Sequence, residues 1–148
     1  MAAGQRRRAR IAALQALYEA DTSDHLAQES LLRILAEKQI APASADFARG
    51  LIEGVLAKRD EIDRTIAEAA PAWPVDQLPA IDRNILRLAI REMLGDNGTP
   101  VSAAINEAVE LAKSFGSEKS ARFVNGVLGA IARQQNESQS NQLTKGRG

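Results

Sequence analysis

Apolar residues recur at helical spacing along most of the chain, and this pattern restricts the fold more than any other feature of the sequence. Within the segment 104–115, four apolar residues share one helix face: Ile105, Ala108, Leu111 and Ala112. No stretch alternates apolar and polar residues as a half-buried strand does. Because only 3% of the 148 residues are aromatic, the core must consist mainly of Leu, Ile, Val and Ala. We therefore predict an all-α fold.

The individual helices can be placed from caps and breakers. A first helix is predicted over about 5–20, and a single long helix is predicted to begin at a Ser44 cap and to end before Pro71. The segment 81–94 is apolar over most of its circumference, which indicates a central helix. Asp, Asn and Gly at 96–98 predict the turn that follows it.

The segment 70–79 is the strongest break in the sequence, because it contains three prolines that cannot lie inside a continuous helix. We place a boundary between two helical lobes there, one of about 5–70 and one of about 76–134. Together the lobes form a single domain, since a chain of this length supports one compact core. Trp73, the only tryptophan, is expected to lie between the lobes as an apolar anchor.

The last residues, 135–148, show no apolar period and are rich in Gln, Asn and Ser. Such a composition buries too little apolar surface to offset the entropy of ordering the chain. We predict a disordered tail.

The segment 104–128 reads as two helices that meet at Gly116, with basic and hydroxyl groups near the joint. Gly116 fits the left-handed residue that ends many helices, and Ser117 fits the N-cap of the next helix. The free N–H groups and the positive dipole end of that helix, beside Lys119 and Arg122, favour a bound phosphate. We therefore predict an anion-binding corner.

Four arginines and no acid precede Glu19. Positive charge near the positive end of a helix dipole costs roughly 0.3 to 1 kcal/mol per residue, so folding alone does not explain the run. Arg7 and Arg10 lie on the same arc as the apolar residues, so we expect the first turns to project into solvent. A solvated basic tail and an RNA-binding element are the two interpretations.

Two basic clusters from opposite ends of the chain, with aromatic rings close by, are what a single-stranded RNA site requires. The candidate rings are Tyr18, Phe115 and Phe123, although core packing is an equal alternative for Tyr18 and Phe123. The formal net charge is zero, with 19 basic and 19 acidic residues, so such a site must arise from local segregation of charge.

Several other classes of function are disfavoured. The chain has no cysteine, which removes disulfides and thiolate metal sites, and it has no apolar span of membrane length, so we expect a cytoplasmic protein. The only histidine, His25, lies in a polar loop, and the sequence shows no obvious catalytic constellation around it. The acids within 58–64 are interleaved with bases, as on an exposed ion-paired helix face. We expect no catalytic site, no metal and no cofactor.

Three regions resemble the NusB family of transcription antitermination factors. They are RRRARIAALQALY at 6–18, IDRNILRLAIREM at 81–93, and AINEAVELAKSFG at 104–116 followed by FVNGVL at 123–128. The resemblance implies a compact seven-helix fold made of two small helical bundles. It also implies binding of the boxA element of nascent RNA by the arginine-rich N-terminus and the helix corner. Carried over by position, the contacts are Arg6, Arg7, Arg8, Arg10, Gln15, Tyr18, Lys113, Phe115, Ser117, Lys119 and Phe123.

Asp82 stands near the start of the central helix, in line with Leu86 and Met93. An acid in the first turn of a helix stabilises the dipole, but Asp82 can also mark the exposed edge of an apolar surface that meets a protein. The resemblance implies such a partner, the ribosomal protein NusE, with Asp76 and Asp82 as acidic contacts, inside an RNA polymerase antitermination complex.

Two alternatives remain open. The chain can be a structural helical module that self-associates through its central apolar helix, for example as a homodimer. It can also be a relative of the NusB-like domains of ribosomal RNA methyltransferases, but the αβ cofactor-binding half of those enzymes is missing here. The leading hypothesis is a non-catalytic adaptor that joins RNA and NusE.

Overall fold

The computed structural model describes residues 3–95 and 98–146, with side chains up to Ser140. Within these residues the chain forms seven α-helices, one short 3-10 turn at Val75–Gln77 and no strand. The helices are α1 (Ala3–Thr22), α2 (Ala27–Glu37), α3 (Pro42–Ala57), α4 (Arg59–Ala69), α5 (Ala80–Leu94), α6 (Val101–Phe115) and α7 (Ser120–Gly146). The predicted all-α, seven-helix fold is confirmed. The turn predicted at 96–98 lies partly outside the described residues. Gly98, which is described, has a φ of 76°.

The single long helix predicted to start at Ser44 is wrong. The chain forms two helices instead, because Lys58 leaves the helical region with φ −119° and ψ 18°. This change of direction lets α3 pack on α1 and α5 while α4 reaches α5 and α7. Ser44 is not a cap either: α3 begins at Pro42, whose fixed φ suits the first helical turn, and Ser44 is buried inside the helix.

Helix α5 is the centre of the molecule, as its apolar circumference predicts. It contacts α1, α3, α4, α6 and α7, and four of its large apolar residues, Ile85, Leu86, Leu88 and Ile90, are at most 2% exposed. One core cluster runs from α1 to α7. Because its own chain covers most of α5, this helix does not offer the apolar face that the self-association alternative requires.

Trp73 does not lie between the lobes, since its side chain is 59% exposed. Arg83 holds the proline-rich segment in place instead. Its guanidinium donates hydrogen bonds to the carbonyl oxygens of Val75, Asp76 and Leu78 at 3.1 to 3.2 Å and forms a salt bridge to Asp21 of α1. These bonds fix the proline-rich turn against α1 without help from the indole.

The C-terminal segment also differs from the sequence-based expectation. Residues 135–146 continue α7, whereas we predicted a disordered tail from 135 onwards. The segment is rich in Gln and contains Glu, Leu and Lys, all of which have good helix propensity. Extending a helix whose first half packs on α6 avoids the cost of nucleating a new one.

Candidate nucleic-acid interface

Arg10 is buried, contrary to the expectation that it projects into solvent. Its Nε and Nη2 donate hydrogen bonds to the two carboxylate oxygens of Glu92 in α5, at 2.7 and 2.8 Å. Its guanidinium also lies 5.3 Å from the ring centre of Phe47, a distance at which a cation is attracted to a ring face. Arg10 therefore joins α1 to α3 and α5, and its position on the apolar arc of α1 is explained by this pairing.

Arg6 and Arg8 differ in what they offer to a ligand. Arg6 is half-buried, and its guanidinium lies 5.4 Å from the centre of the Phe47 ring. Phe47 belongs to α3 and is the same side chain that Arg10 contacts. Arg8 is exposed and donates one hydrogen bond, of 2.7 Å, to the carbonyl oxygen of Lys38. The guanidinium of Arg8 thus faces solvent, whereas that of Arg6 serves mainly to hold α3.

Arg7 links the N-terminus of the chain to α6. Its Nε and Nη2 donate hydrogen bonds to Glu107 at 3.0 and 2.9 Å, while its side chain remains 52% exposed. The hydrogen bond and charge of Arg7 hold the pKa of the Glu107 carboxyl below its usual range, against the opposing effect of partial burial. Two segments that are 100 residues apart in sequence therefore lie side by side.

The lowered pKa of Glu107 predicts a pH dependence of stability. A carboxyl whose pKa is depressed by folding stabilises the folded state above its unfolded pKa, and this contribution is lost as pH falls through the folded pKa. We expect the unfolding free energy of Glu107→Gln, measured by urea titration, to fall less than that of the parent between about pH 5 and pH 3. Glu110→Gln, which removes an exposed acid from the same helix, is the control. Equal slopes for the parent and Glu107→Gln would contradict the assignment.

A cavity of about 390 Å³ brings the two predicted RNA-binding regions together. We call it the α1–α6 groove. Gln15 and Tyr18 of α1, Phe115 at the end of α6 and Ile81 of α5 line it. The rings of Tyr18 and Phe115 are 40% and 37% exposed, so each presents ring surface to solvent. The remaining lining residues are Leu14, Glu19 and Thr22.

The corner between α6 and α7 does not have the predicted cap geometry. Gly116 is extended, with φ −93° and ψ −169°, and is not left-handed. A glycine is needed there for another reason, since a Cβ would lie 2.4 Å from the Ser120 hydroxyl oxygen. Ser117 is not the N-cap residue, because α7 begins only at Ser120, and the Ser117 N–H donates to Ser120 Oγ at 2.9 Å.

Asp82 is buried rather than at an exposed edge, which corrects our interpretation of it. It accepts a hydrogen bond of 2.7 Å from the Ser120 hydroxyl, and only 6% of the residue is exposed. Ser120 in turn accepts from the Ser117 N–H, so Asp82 fixes the start of α7 against α5. No sequence signal pairs residues 38 positions apart, which is why this role was missed.

The other predicted contacts lie around the same corner. Lys113, Ser117 and Lys119 are exposed, and Lys113 Nζ lies 3.2 Å from a carboxylate oxygen of Glu110. Phe123 is half-buried and packs against the core, in keeping with the packing alternative for this ring. The exposed cations of α1 and the corner are thus Arg7, Arg8, Lys113, Lys119 and Arg122.

Residues 7–133 match the sequence model of the NusB family. The chain belongs to the NusB family. The Transcription antitermination protein NusB of Chloroflexus aggregans is 52% identical over 131 residues, which cover 87% of this chain and 87% of that protein. The protein of the same name from Dehalococcoides mccartyi is 49% identical over 128 residues, covering 86% of this chain and 90% of its own length. The family resemblance inferred from the three sequence regions is confirmed.

Solved structures of NusB proteins share the fold. T. maritima NusB superposes with a TM-score of 0.81 at 36% identity, covering 86% of this chain and 90% of that chain. A crystal structure of the antitermination factors NusB and NusE in complex with dsRNA gives a TM-score of 0.81 at 28% identity, covering 90% of this chain and 99% of that one. The seven-helix NusB fold expected from the sequence is therefore confirmed.

Two charged pairs bear on the other functions considered from the sequence. His25 Nδ1 lies 2.6 Å from Glu19, so an acid does stand near this histidine. Lys58 lies 3.8 Å from Glu61, as predicted for an ion-paired helix face. Among residues 3–95 and 98–146, no group of three acidic or histidine side chains is placed to hold a metal ion. The part of the chain with described side chains also has no helix with the length and apolarity needed to cross a membrane.

Proposed function

We propose that this protein is an RNA-binding transcription antitermination factor that holds a boxA-like single-stranded RNA together with the ribosomal protein NusE. The observation that supports the proposal most directly is the α1–α6 groove, where Gln15 and Tyr18 meet Phe115. Partly exposed aromatic rings stack on unpaired bases, and nearby cations neutralise phosphates. The structural neighbour that contains NusE and dsRNA supports the binding of RNA and NusE by this chain.

The residues have different parts in this proposal. Tyr18 and Phe115 stack on bases, and Gln15 donates or accepts hydrogen bonds at base edges. Phosphates are contacted by the exposed cations of α1 and the corner. Four of the residues carried over from the family act mainly by holding other parts of the surface in place. Arg6 and Arg10 hold α1 on α3 and α5. Ser117 and Phe123 shape the corner.

The partner surface is proposed to include the turn between α4 and α5. Asp76 is exposed on the 3-10 turn that Arg83 holds in place, so its carboxylate can meet a basic side chain of NusE. Asp82, being buried, acts on the partner through the Ser120 corner that it positions. Binding of RNA and NusE to adjacent surfaces raises the local concentration of each for the other. This mechanism is binding alone, without catalysis, in the cytoplasmic antitermination complex of RNA polymerase.

A salt titration of RNA binding tests the phosphate contacts. The logarithm of the binding constant falls with the logarithm of salt concentration in proportion to the number of phosphates neutralised. We expect Arg8→Ala to weaken binding to a boxA-like strand and to reduce this slope by about 1. Arg49→Ala, on the exposed face of α3, is the matched control, and a scrambled strand gives the nonspecific level. An Arg8→Ala slope equal to that of the control would count against a phosphate contact at the N-terminus.

A further inference from the structure

A second cavity, of about 460 Å³, opens between α3, α4 and the end of α5. None of its lining residues belongs to the proposed RNA surface. Its walls include Ala57, Ile62, Ile90 and Leu94, which are apolar, and Arg91 lies among them. A concave apolar site of this size with few polar groups is typical of small-molecule binding. We call it the Arg91 cavity.

Arg91 differs from the two arginines that precede it on α5. Arg83 forms a salt bridge to Asp21 and Arg87 forms one to Asp63. Among the described residues, no carboxylate lies within salt-bridge distance of Arg91, and its Nε is buried without a hydrogen-bond partner. A guanidinium that is partly removed from water and lacks a counter-charge favours an anion supplied from outside.

Two glycines make room for this guanidinium. A Cβ at Gly54 would lie 1.6 Å from Arg91 Nε, and a Cβ at Gly95 would lie 1.5 Å from Arg91 Nη1. Gly54 lies in the interior of α3, where glycine costs helix stability. The close approach of Arg91 accounts for that cost, because a residue with a Cβ would leave no room for the guanidinium there.

The remaining polar groups of the cavity leave an excess of positive charge. Lys58 Nζ and a Glu61 carboxylate oxygen are 3.8 Å apart, so these two charges offset each other. The Thr65 hydroxyl donates to the Glu61 carbonyl oxygen at 2.9 Å. Arg91 is therefore the charge that the cavity leaves uncompensated.

We propose that the Arg91 cavity binds a small organic anion, in which a carboxylate or phosphate monoester pairs with Arg91 and a compact apolar body fills the space between Ile62, Ile90 and Leu94. The apolar walls favour an organic anion over an inorganic ion. An inorganic ion would leave these walls in contact with water. This site stands independently of the RNA-binding proposal.

The test uses three probes with one apolar body: para-tert-butylbenzoate, para-tert-butylphenyl phosphate and para-tert-butylbenzamide. Each is titrated into the full chain and followed by heteronuclear NMR of the backbone amides and the Arg91 Nε–H. We expect saturable shifts at Gly54, Gly95 and Arg91, with at least one anion binding about tenfold more tightly than the neutral amide. The stronger of the two anions identifies carboxylate or phosphate as the preferred head group.

Variants separate this site from general binding to basic side chains. Arg91→Met keeps the apolar volume and is expected to lose the preference for anions, whereas Arg49→Met, an exposed arginine of α3, should bind as the parent does. Leu94→Asp places an acid on a wall residue that is 47% exposed and should abolish binding without disturbing the core. The proposal is overturned by equal binding of acid and amide, or by unchanged binding in Arg91→Met or Leu94→Asp.

Discussion

Replacing Glu92 by glutamine lowers the free energy of unfolding by about 3 kcal/mol. Arg10 and Glu92 are enclosed, with side-chain exposures of 5% and 3%. Glutamine keeps the size of the side chain but removes its charge, so the Arg10 guanidinium stays buried with only Glu107, at 3.9 Å, as a counter-charge. An uncompensated buried charge is far more costly than a lost surface ion pair. Urea unfolding at neutral pH measures the change.

Two further variants make this prediction specific. Glu110→Gln removes an exposed carboxylate from α6 and should change the unfolding free energy by less than about 1 kcal/mol. Replacing Arg10 and Glu92 together by methionine removes both charges while retaining apolar volume, and should recover most of the loss. If Glu92→Gln lowers the free energy of unfolding no more than Glu110→Gln does, the charges of Arg10 and Glu92 do not depend on each other. The role assigned to Arg10 in α1 is then wrong.

The second large effect is expected on RNA affinity. Tyr18→Ala and Phe115→Ala should each weaken binding to a boxA-like strand by about tenfold, since stacking contributes roughly 1 to 3 kcal/mol per base. Both rings are more than a third exposed and line the same groove, so truncation removes ring surface without emptying a core position. Fluorescence anisotropy with a labelled strand gives the dissociation constants.

Trp73→Ala is the matched control for these variants. Trp73 is the most exposed ring of the three, at 59%, and does not line the groove. Its replacement should leave RNA affinity unchanged, while the unfolding free energies of all three variants check that the fold is retained. A loss of affinity in Trp73→Ala equal to that in Tyr18→Ala would mean that RNA binds by general contact with exposed rings.

The helices were predictable because the pattern that defines them is local. The central helix over 81–94 lies in the structure at Ala80–Leu94. The break at Lys58 was missed, since no proline or glycine marks it and packing on different helices decides it. The position of Arg10 on the helix face was also informative about its burial. Arg10 shares the apolar arc of α1 because its side chain is buried.

The pairings of the site could not be predicted, because they join residues that are far apart in sequence. Arg7 meets Glu107 across 100 positions and Asp82 meets Ser120 across 38. One signal was available for Arg10: Glu92 lies between Ile90 and Met93 in the helix that the sequence places at the centre, and a buried acid requires a cationic partner. Composition and spacing alone do not say which of the arginines supplies it.

In the proposed function, α1 and the α6–α7 corner form one surface for RNA. The most direct measurement is photocrosslinking of a boxA-like strand that carries thiouridine at successive positions, followed by mass spectrometry of the crosslinked peptides. We expect crosslinks from neighbouring nucleotides of one strand to peptides that contain Tyr18 and Phe115. Crosslinks confined to one of these two regions, or found on α3 and α4 instead, would contradict it.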